Sequence, residues 1–240
     1  NAEVMLIDVG TNTEIVVGNR NRMMAASCPA GPAFEGGEIT YGMPGYKGAV
    51  ESVKLEDGDV KWRTIGDAPP LGICGSGLID LLAELRRTGS MTKLGVFTDN
   101  RQAFEFVPGQ RMSLSRADIS ALAQAKAANF CGQQIVRRRF GVPMEEISKV
   151  YLAGGFANYI DVKSARTIGF IPDVPLEKIV KVGNAALQGA TLMLLSKDLR
   201  QWIEKTAKEI EHIELETTED FFDIFVEGCM FQPTTKSQIQ

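Results

Sequence analysis

LIDVGTNTEIVVG, Leu6 to Gly18, is the stretch on which the reading of this chain turns. Its two apolar runs, LIDV and EIVVG, read as a strand and its return, with Gly10-Thr11-Asn12-Thr13 at the bend. A tight turn containing glycine leaves several backbone N–H groups pointing into one concavity, and such nests bind anions. Thr11 and Thr13 add hydroxyl donors, and Asp8, at the end of the first strand, is suited to Mg²⁺ held directly or through water. The same residues also describe a plain hairpin whose Asp and Asn bond to their own turn. Taken alone, the stretch fits both equally.

Outward from that stretch, 240 residues with 44% hydrophobic and 23% charged side chains have the balance of an ordinary globule. A net charge of −4 argues against nucleic acid or an anionic membrane as the main partner. No apolar run approaches the roughly 18 residues of a membrane span. The chain enters a strand at once (AEVMLIDV), without the basic region, apolar core and cleavage site of a signal peptide. That start suggests a piece of a longer protein, and the expected compartment is the cytoplasm. Cys28, Cys74, Cys131 and Cys229 are scattered without the close pairing of zinc or iron–sulfur sites, so free thiols are expected. His212 is the single histidine, which leaves little material for imidazole chemistry.

Residues 1–50 read as β structure with glycine-rich links. AVESVKLEDGDVKWRTIG reads as a hairpin near 50–66 turning at Asp57-Gly58, and surface decoration is its expected role. Leu78, Leu81, Leu82 and Leu85 give a helix over about 76–88, with Ser76 as its cap and Gly89 as its stop. The segment 90–112 is weakly patterned and is expected to be a mobile excursion. A long helix over about 116–139 starts at Ser115 with Asp118 three residues on. Its closing Arg137-Arg138-Arg139 complements the helix dipole. KVYLAGG follows as a buried strand, and NAALQGATLMLL, apolar nearly all round, as a core helix. A charged amphipathic helix over 197–212 and a short Phe-rich element near 219–229 complete the chain. The order fits one layered α/β domain.

Two further glycine loops bear on function. In VYLAGGFANYID (Val150 to Asp161) a strand delivers Gly154-Gly155 to a helix start, where a planar base or a phosphate can meet bare backbone. GICGSGLID (Gly72 to Asp80) lacks the glycine spacing of a nucleophile elbow or of a dinucleotide fingerprint. It echoes a papain-type cysteine site, but Gly77 stands where a second Cys is needed. What survives is a loop at a helix N-terminus, with Gly75 and Ser76 suited to an anion.

LIDVGTNTEIVVGN, AASCPAGPAFEGGEITYGM, GICGSGLIDLLAEL, VYLAGGFANYID and VGNAALQGA, in this order, closely resemble the C-terminal domain of the corrinoid-activating proteins. These are ATP-dependent reductive activators of corrinoid methyltransferase systems, within the sugar kinase, heat-shock ATPase and actin superfamily. The resemblance implies a ribonuclease H-like lobe with a mixed five-stranded sheet, one half of an actin-like ATPase, spanning 1–240. It makes Asp8, Gly10, Thr11 and Asn12 the second-lobe phosphate loop and Gly154, Gly155 and Phe156 the adenosine loop. ATP and Mg²⁺ are the implied cofactors, with ATP between two lobes and a [2Fe–2S] cluster only in an N-terminal domain outside this sequence. Thr13 and Ala157 stand where the family commonly has Gly, and Cys28-Pro29 where it has small residues.

The function this implies is energy coupling in the return of a corrinoid protein from cob(II) to cob(I). The implied partners are that protein, the other lobe and the iron–sulfur domain of the parent chain, with a homodimer also open. Two other readings stand beside it: a non-catalytic docking module, and a small-substrate phosphotransferase, for which Asp8 and Glu14 are the available carboxylates. AFEGGEITYGM (33–43) is a docking or cleft candidate or a core turn.

Overall fold

The computed structural model describes residues 2–234. Its main sheet begins with three antiparallel strands, β1 (Val4–Val9), β2 (Thr13–Gly18) and β3 (Met23–Cys28). A smaller sheet follows: β4 (Ala49–Glu56) and β5 (Asp59–Thr64) form the hairpin, and β6 (Gly72–Ile73) pairs parallel to β4. Next come α1 (Gly75–Arg87), the hairpin β7 (Ala103–Val107) and β8 (Met112–Ser115), and α2 (Arg116–Phe140). The chain then returns to the main sheet with β9 (Lys149–Ala153), passes through α3 (Val162–Thr167), and adds β10 (Ile179–Gly183). It ends with α4 (Ala185–Leu195), α5 (Lys197–Glu209), β11 (Glu211–His212) and α6 (Phe221–Gly228).

The main sheet runs β10-β9-β1-β2-β3-β11, with β9 parallel to β1 and β10 parallel to β9. Five full strands match the expected mixed sheet, and the two-residue β11 adds an edge beside β3. Period-two alternation sends Met5, Ile7 and Val9 to one face, where Ile15, Val17, Met24, Ala26 and Cys28 join them, all buried. α2 covers that face. It comes so close at Gly132 that a Cβ there would lie 2.1 Å from Cys28 Sγ. Ser115 and Asp118 close its start as a reciprocal capping box, as the sequence indicates.

Four expectations are corrected. The hairpin β4–β5 is no decoration: Ala49, Val50 and Val53 are buried, and α1 packs upon β4. Residues 90–112 are built into the fold, with Met91, Phe97, Phe104, Phe106 and Val107 in the core; no period is visible because two short runs flank a turn. The cap of α1 is Cys74, and Ser76 lies inside the helix. α4 is not a core helix: Leu187, Leu194 and Leu195 are 63%, 76% and 77% exposed. An all-round apolar pattern signals that a helix wants cover, not that its own chain supplies it.

Candidate functional site

The β1–β2 hairpin closes with Val9 opposite Thr13, which leaves Gly10, Thr11 and Asn12 as an exposed three-residue loop. Thr13 therefore belongs to β2 and faces inward, 1% exposed, so its hydroxyl does not join that of Thr11 on the loop surface. Asp8 pairs with Glu14 across the hairpin and with Ala153 on its other side. Partial burial, reinforced by the Glu14 carboxylate, pushes the Asp8 carboxyl above its ordinary value. Glu14 is exposed and accepts a hydrogen bond from Ser27 Oγ at 3.1 Å.

β9 delivers the second predicted loop beside the first. Gly154 takes φ +94°, and a Cβ there would lie 2.3 Å from Val9 O and 3.0 Å from Asp8 Oδ1. Its N–H donates to Gly183 O at 2.9 Å, so the ends of β1, β9 and β10 meet at one point. Gly155, in contrast, is exposed and has nothing within 4 Å of its Cβ position. Phe156 turns inward into a ring cluster, 6.4 Å from Phe34 and 6.2 Å from Phe170, with Phe34 and Phe170 4.9 Å apart edge to face.

GICGSG is placed differently from the other two. A Cβ on Gly75 would lie 2.2 Å from both the Phe156 ring and Phe34 O, and one on Gly77 would lie 2.3 Å from Val50 O. These glycines let α1 start hard against its neighbours, and Ser76 is 5% exposed. Gly75 and Ser76 thus lie in the layer beneath Phe156, not beside Gly10–Asn12.

Two residues without an assigned role emerge at the site. Gly31 N donates to Thr11 O at 3.0 Å, and Thr11 Oγ1 donates to Glu35 Oε2 at 2.8 Å. Both lie in the glycine-rich link after β3, whose composition marks an unusual backbone but cannot say which loop it reaches. A cavity of about 20 Å³ lies below, lined by Val9, Gly10, Thr13, Gly31, Phe34 and Asn129 among others. It has room for about one water molecule.

The donor set fits a nucleotide. An exposed turn that carries the Thr11 hydroxyl suits phosphate, bare backbone at Gly155 suits a ring or ribose, and a carboxyl at Asp8 suits a hydrated cation. Among the described residues, no group of three or more His, Cys, Asp or Glu converges closely enough to hold a metal ion. A Mg²⁺ ion here would rely on phosphate oxygens and water for most of its ligands.

A β-β-β-α-β-α-β lobe with glycine loops at the ends of β1, β9 and β10 is the half-unit of an actin-like ATPase. The particular family follows from comparison: residues 2–240 match the model described as the C-terminal domain of RACo, the ASKHA domain, and the chain belongs to that family. It is 34% identical to the corrinoid activation enzyme RamQ of Eubacterium limosum, over 95% of this chain and 42% of that protein. It is 26% identical to the [Co(II) methylated amine-specific corrinoid protein] reductase of Methanosarcina barkeri, over 92% and 45% respectively. Among solved structures, a reductive activator for corrinoid, iron–sulfur protein superposes with a TM-score of 0.86 at 37% identity, over 100% of this chain and 41% of that one. The chain spans less than half the length of each of these relatives. No helix among the described residues is long and apolar enough to cross a membrane.

Proposed function

We propose that this chain is the nucleotide-binding lobe of a cytoplasmic, ATP-dependent reductive activator that returns a corrinoid protein from cob(II) to cob(I). The observation that carries the proposal is the convergence of Asp8, Gly154 and Gly183 at one end of three adjacent strands, with Gly10–Asn12 and Gly155 open above them. In this reading the N–H groups of Gly10–Asn12 and the Thr11 hydroxyl take the phosphates. Bare backbone at Gly155 takes the adenosine, Gly154 sets the turn, and Asp8 orients water around Mg²⁺. Mg²⁺ supplies charge neutralisation at the phosphates. The nucleotide binds a closed cleft better than an open one, and that differential affinity biases the activator between two states. Glu14 faces Asp8 across the hairpin, and its carboxylate adds to the burial that raises the Asp8 carboxyl.

The other half of the cleft, and a [2Fe–2S] domain that supplies the electron, belong to the remainder of the parent chain. The bare apolar surface of α4 supports this: its N-cap, Asn184, directly follows Gly183 at the site, and the helix has no buried residue. The test is calorimetric titration of the full-length parent with Mg–ATP, alongside a variant carrying Asp8→Ala. Binding by the parent, with loss of ATP-dependent corrinoid reduction in the variant, is expected. No binding at millimolar ATP refutes the nucleotide reading, and full activity without Asp8 refutes its role.

A further inference from the structure

We propose that Glu35 is the gate of the phosphate loop and makes phosphate binding there conditional on a divalent cation. The inference rests on the nucleotide reading above and assigns a residue to which that reading gives no part. Thr11 Oγ1 is the only side-chain hydroxyl on the exposed turn, and its proton is committed to Glu35 Oε2 at 2.8 Å. A hydroxyl has one proton to donate, so an incoming phosphate oxygen competes with the carboxylate for it. The two acceptors are both anionic and would lie within a few ångströms of one another, and their repulsion grows as a bound nucleotide excludes water from the exposed loop.

The main chain that carries the carboxylate is fixed on several sides, which keeps Glu35 within reach of Thr11. Ala33 and Phe34 are buried just before it, and the Phe34 ring packs edge to face on Phe170. Gly36, just after it, takes φ +87°, and its Cβ position lies 2.4 Å from Met43 N; the Cβ position of Gly42 lies 2.4 Å from Gly36 O. Backbone therefore packs on backbone immediately behind Glu35, which only glycine permits. From the other side Gly31 N holds Thr11 O, so loop and gate are strapped together. Glu35 is itself exposed, and among the described residues no basic side chain is hydrogen-bonded to it. A hydrated Mg²⁺ arriving with the nucleotide removes the conflict: it neutralises the phosphate charge and offers the carboxylate water protons in place of the Thr11 hydroxyl. Glu35 is a positioning residue in this account, since it acts through Thr11 and metal-bound water.

The test is calorimetric titration of the full-length parent with ATP, in excess Mg²⁺ and in chelator, for the native protein and for Glu35→Gln. The exposed, isosteric change leaves the fold intact, which a thermal melt checks. The native protein should bind Mg–ATP much more tightly than metal-free ATP. In E35Q the metal-free affinity should rise by about tenfold or more, so that the Mg²⁺ dependence shrinks by the same factor. Thr11→Val should weaken binding in both conditions, because the donor itself is gone. A native protein that binds nucleotide with the same Mg²⁺ dependence as E35Q overturns the gate while leaving the nucleotide reading intact. A native protein that binds no nucleotide in either condition overturns both.

Discussion

Gly154 and Gly155 are adjacent, and the structure gives them opposite reasons for being glycine. At Gly154 an alanine would adopt φ +94° and place its Cβ 2.3 Å from Val9 O. A side chain forced into that region costs about 1–3 kcal/mol, and relieving a backbone contact in a packed junction costs a further 1–3 kcal/mol or so. Gly154→Ala should therefore destabilise the protein by about 2–6 kcal/mol, with the damage centred where β1, β9 and β10 meet. At Gly155 a Cβ would meet nothing within 4 Å and the backbone has no positive φ. Gly155→Ala should leave stability unchanged or raise it by about 0.5 kcal/mol, since alanine restricts the unfolded chain. The added methyl group would instead stand in the space proposed for the adenosine, and ATP affinity should fall about tenfold or more, the worth of roughly 1.4 kcal/mol of lost contact. Urea denaturation and ATP titration of both variants in the full-length parent read the two effects separately. If Gly155→Ala binds ATP like the native protein, the adenosine assignment fails. If Gly154→Ala unfolds at the native midpoint, the strain argument fails.

Three other outcomes are expected. The raised carboxyl of Asp8 means that the folded state holds that proton more tightly than the unfolded chain, so its contribution falls as pH rises above about 4; Asp8→Asn should be more resistant to urea than the native protein at neutral pH and equal to it near pH 3, as a pH series of denaturation midpoints will show. Asp118 is pulled upward by burial, but bonds from Ser115 and from Thr40 N and Oγ1 (2.8 and 3.0 Å) outweigh this and hold it below its ordinary value. Asp118→Ala should cost about 2–3 kcal/mol at neutral pH, and the native protein should lose the part of that stability owed to the ionised carboxylate on acidification through the lowered value, leaving the variant's thermal melt flatter with pH. Leu194→Asp with Leu195→Asp should shift the melting of this lobe alone by less than about 0.5 kcal/mol, yet weaken its retention by the separately produced remainder of the parent chain in a pull-down; equal retention would refute the covering of α4 by that remainder.

The parts of the fold that were legible in the sequence are those whose partners are close along the chain. β1 and β2 pair across three residues, and the Leu stripe of α1 and the capping box of α2 are local patterns with one physical meaning each. β10 escaped notice because five residues of half-exposed strand, entered through Pro172 and Pro175, have too little alternation to stand out. The half-buried strand β4 and the exposed α4 depart from their sequence patterns for a shared reason: a pattern states how apolar a surface is, while its cover depends on what the rest of the molecule brings. The site divides along the same line. Asp8, Gly10, Thr11, Gly154 and Gly155 were visible as loops at strand ends, and the fold brings them together. Gly75 and Ser76 shared the glycine signal, but close packing against Phe156, not an open cradle, accounts for it. Glu35 lay within the 33–43 cleft candidate, but nothing in that stretch singled it out, because its partner Thr11 lies 24 residues away.

The ring cluster shows how the two loops of the site can respond as one. Phe156 follows the proposed adenosine loop directly, Phe34 directly precedes the proposed gate, and Phe170 packs against both. Asn129 Nδ2 and Gln133 Nε2 of α2 both donate to Phe170 O, at 2.7 and 3.0 Å, and anchor the third ring to the longest helix of the domain. Packed rings shift together more readily than singly, which gives a displacement of Phe156 by a ligand at Gly155 a contiguous route to Phe34 and, one residue on, to Glu35. Phe34→Leu keeps the site apolar but removes the edge-to-face contacts, at a cost of about 1–2 kcal/mol in stability. Its more telling effect is on coupling. If the cluster transmits, the affinity gained from Mg²⁺ should be smaller for ATP in this variant than in the native protein, while adenosine alone, which does not reach Glu35, should bind both equally. An unchanged Mg²⁺ increment would show that the loops act independently and that the cluster is only core.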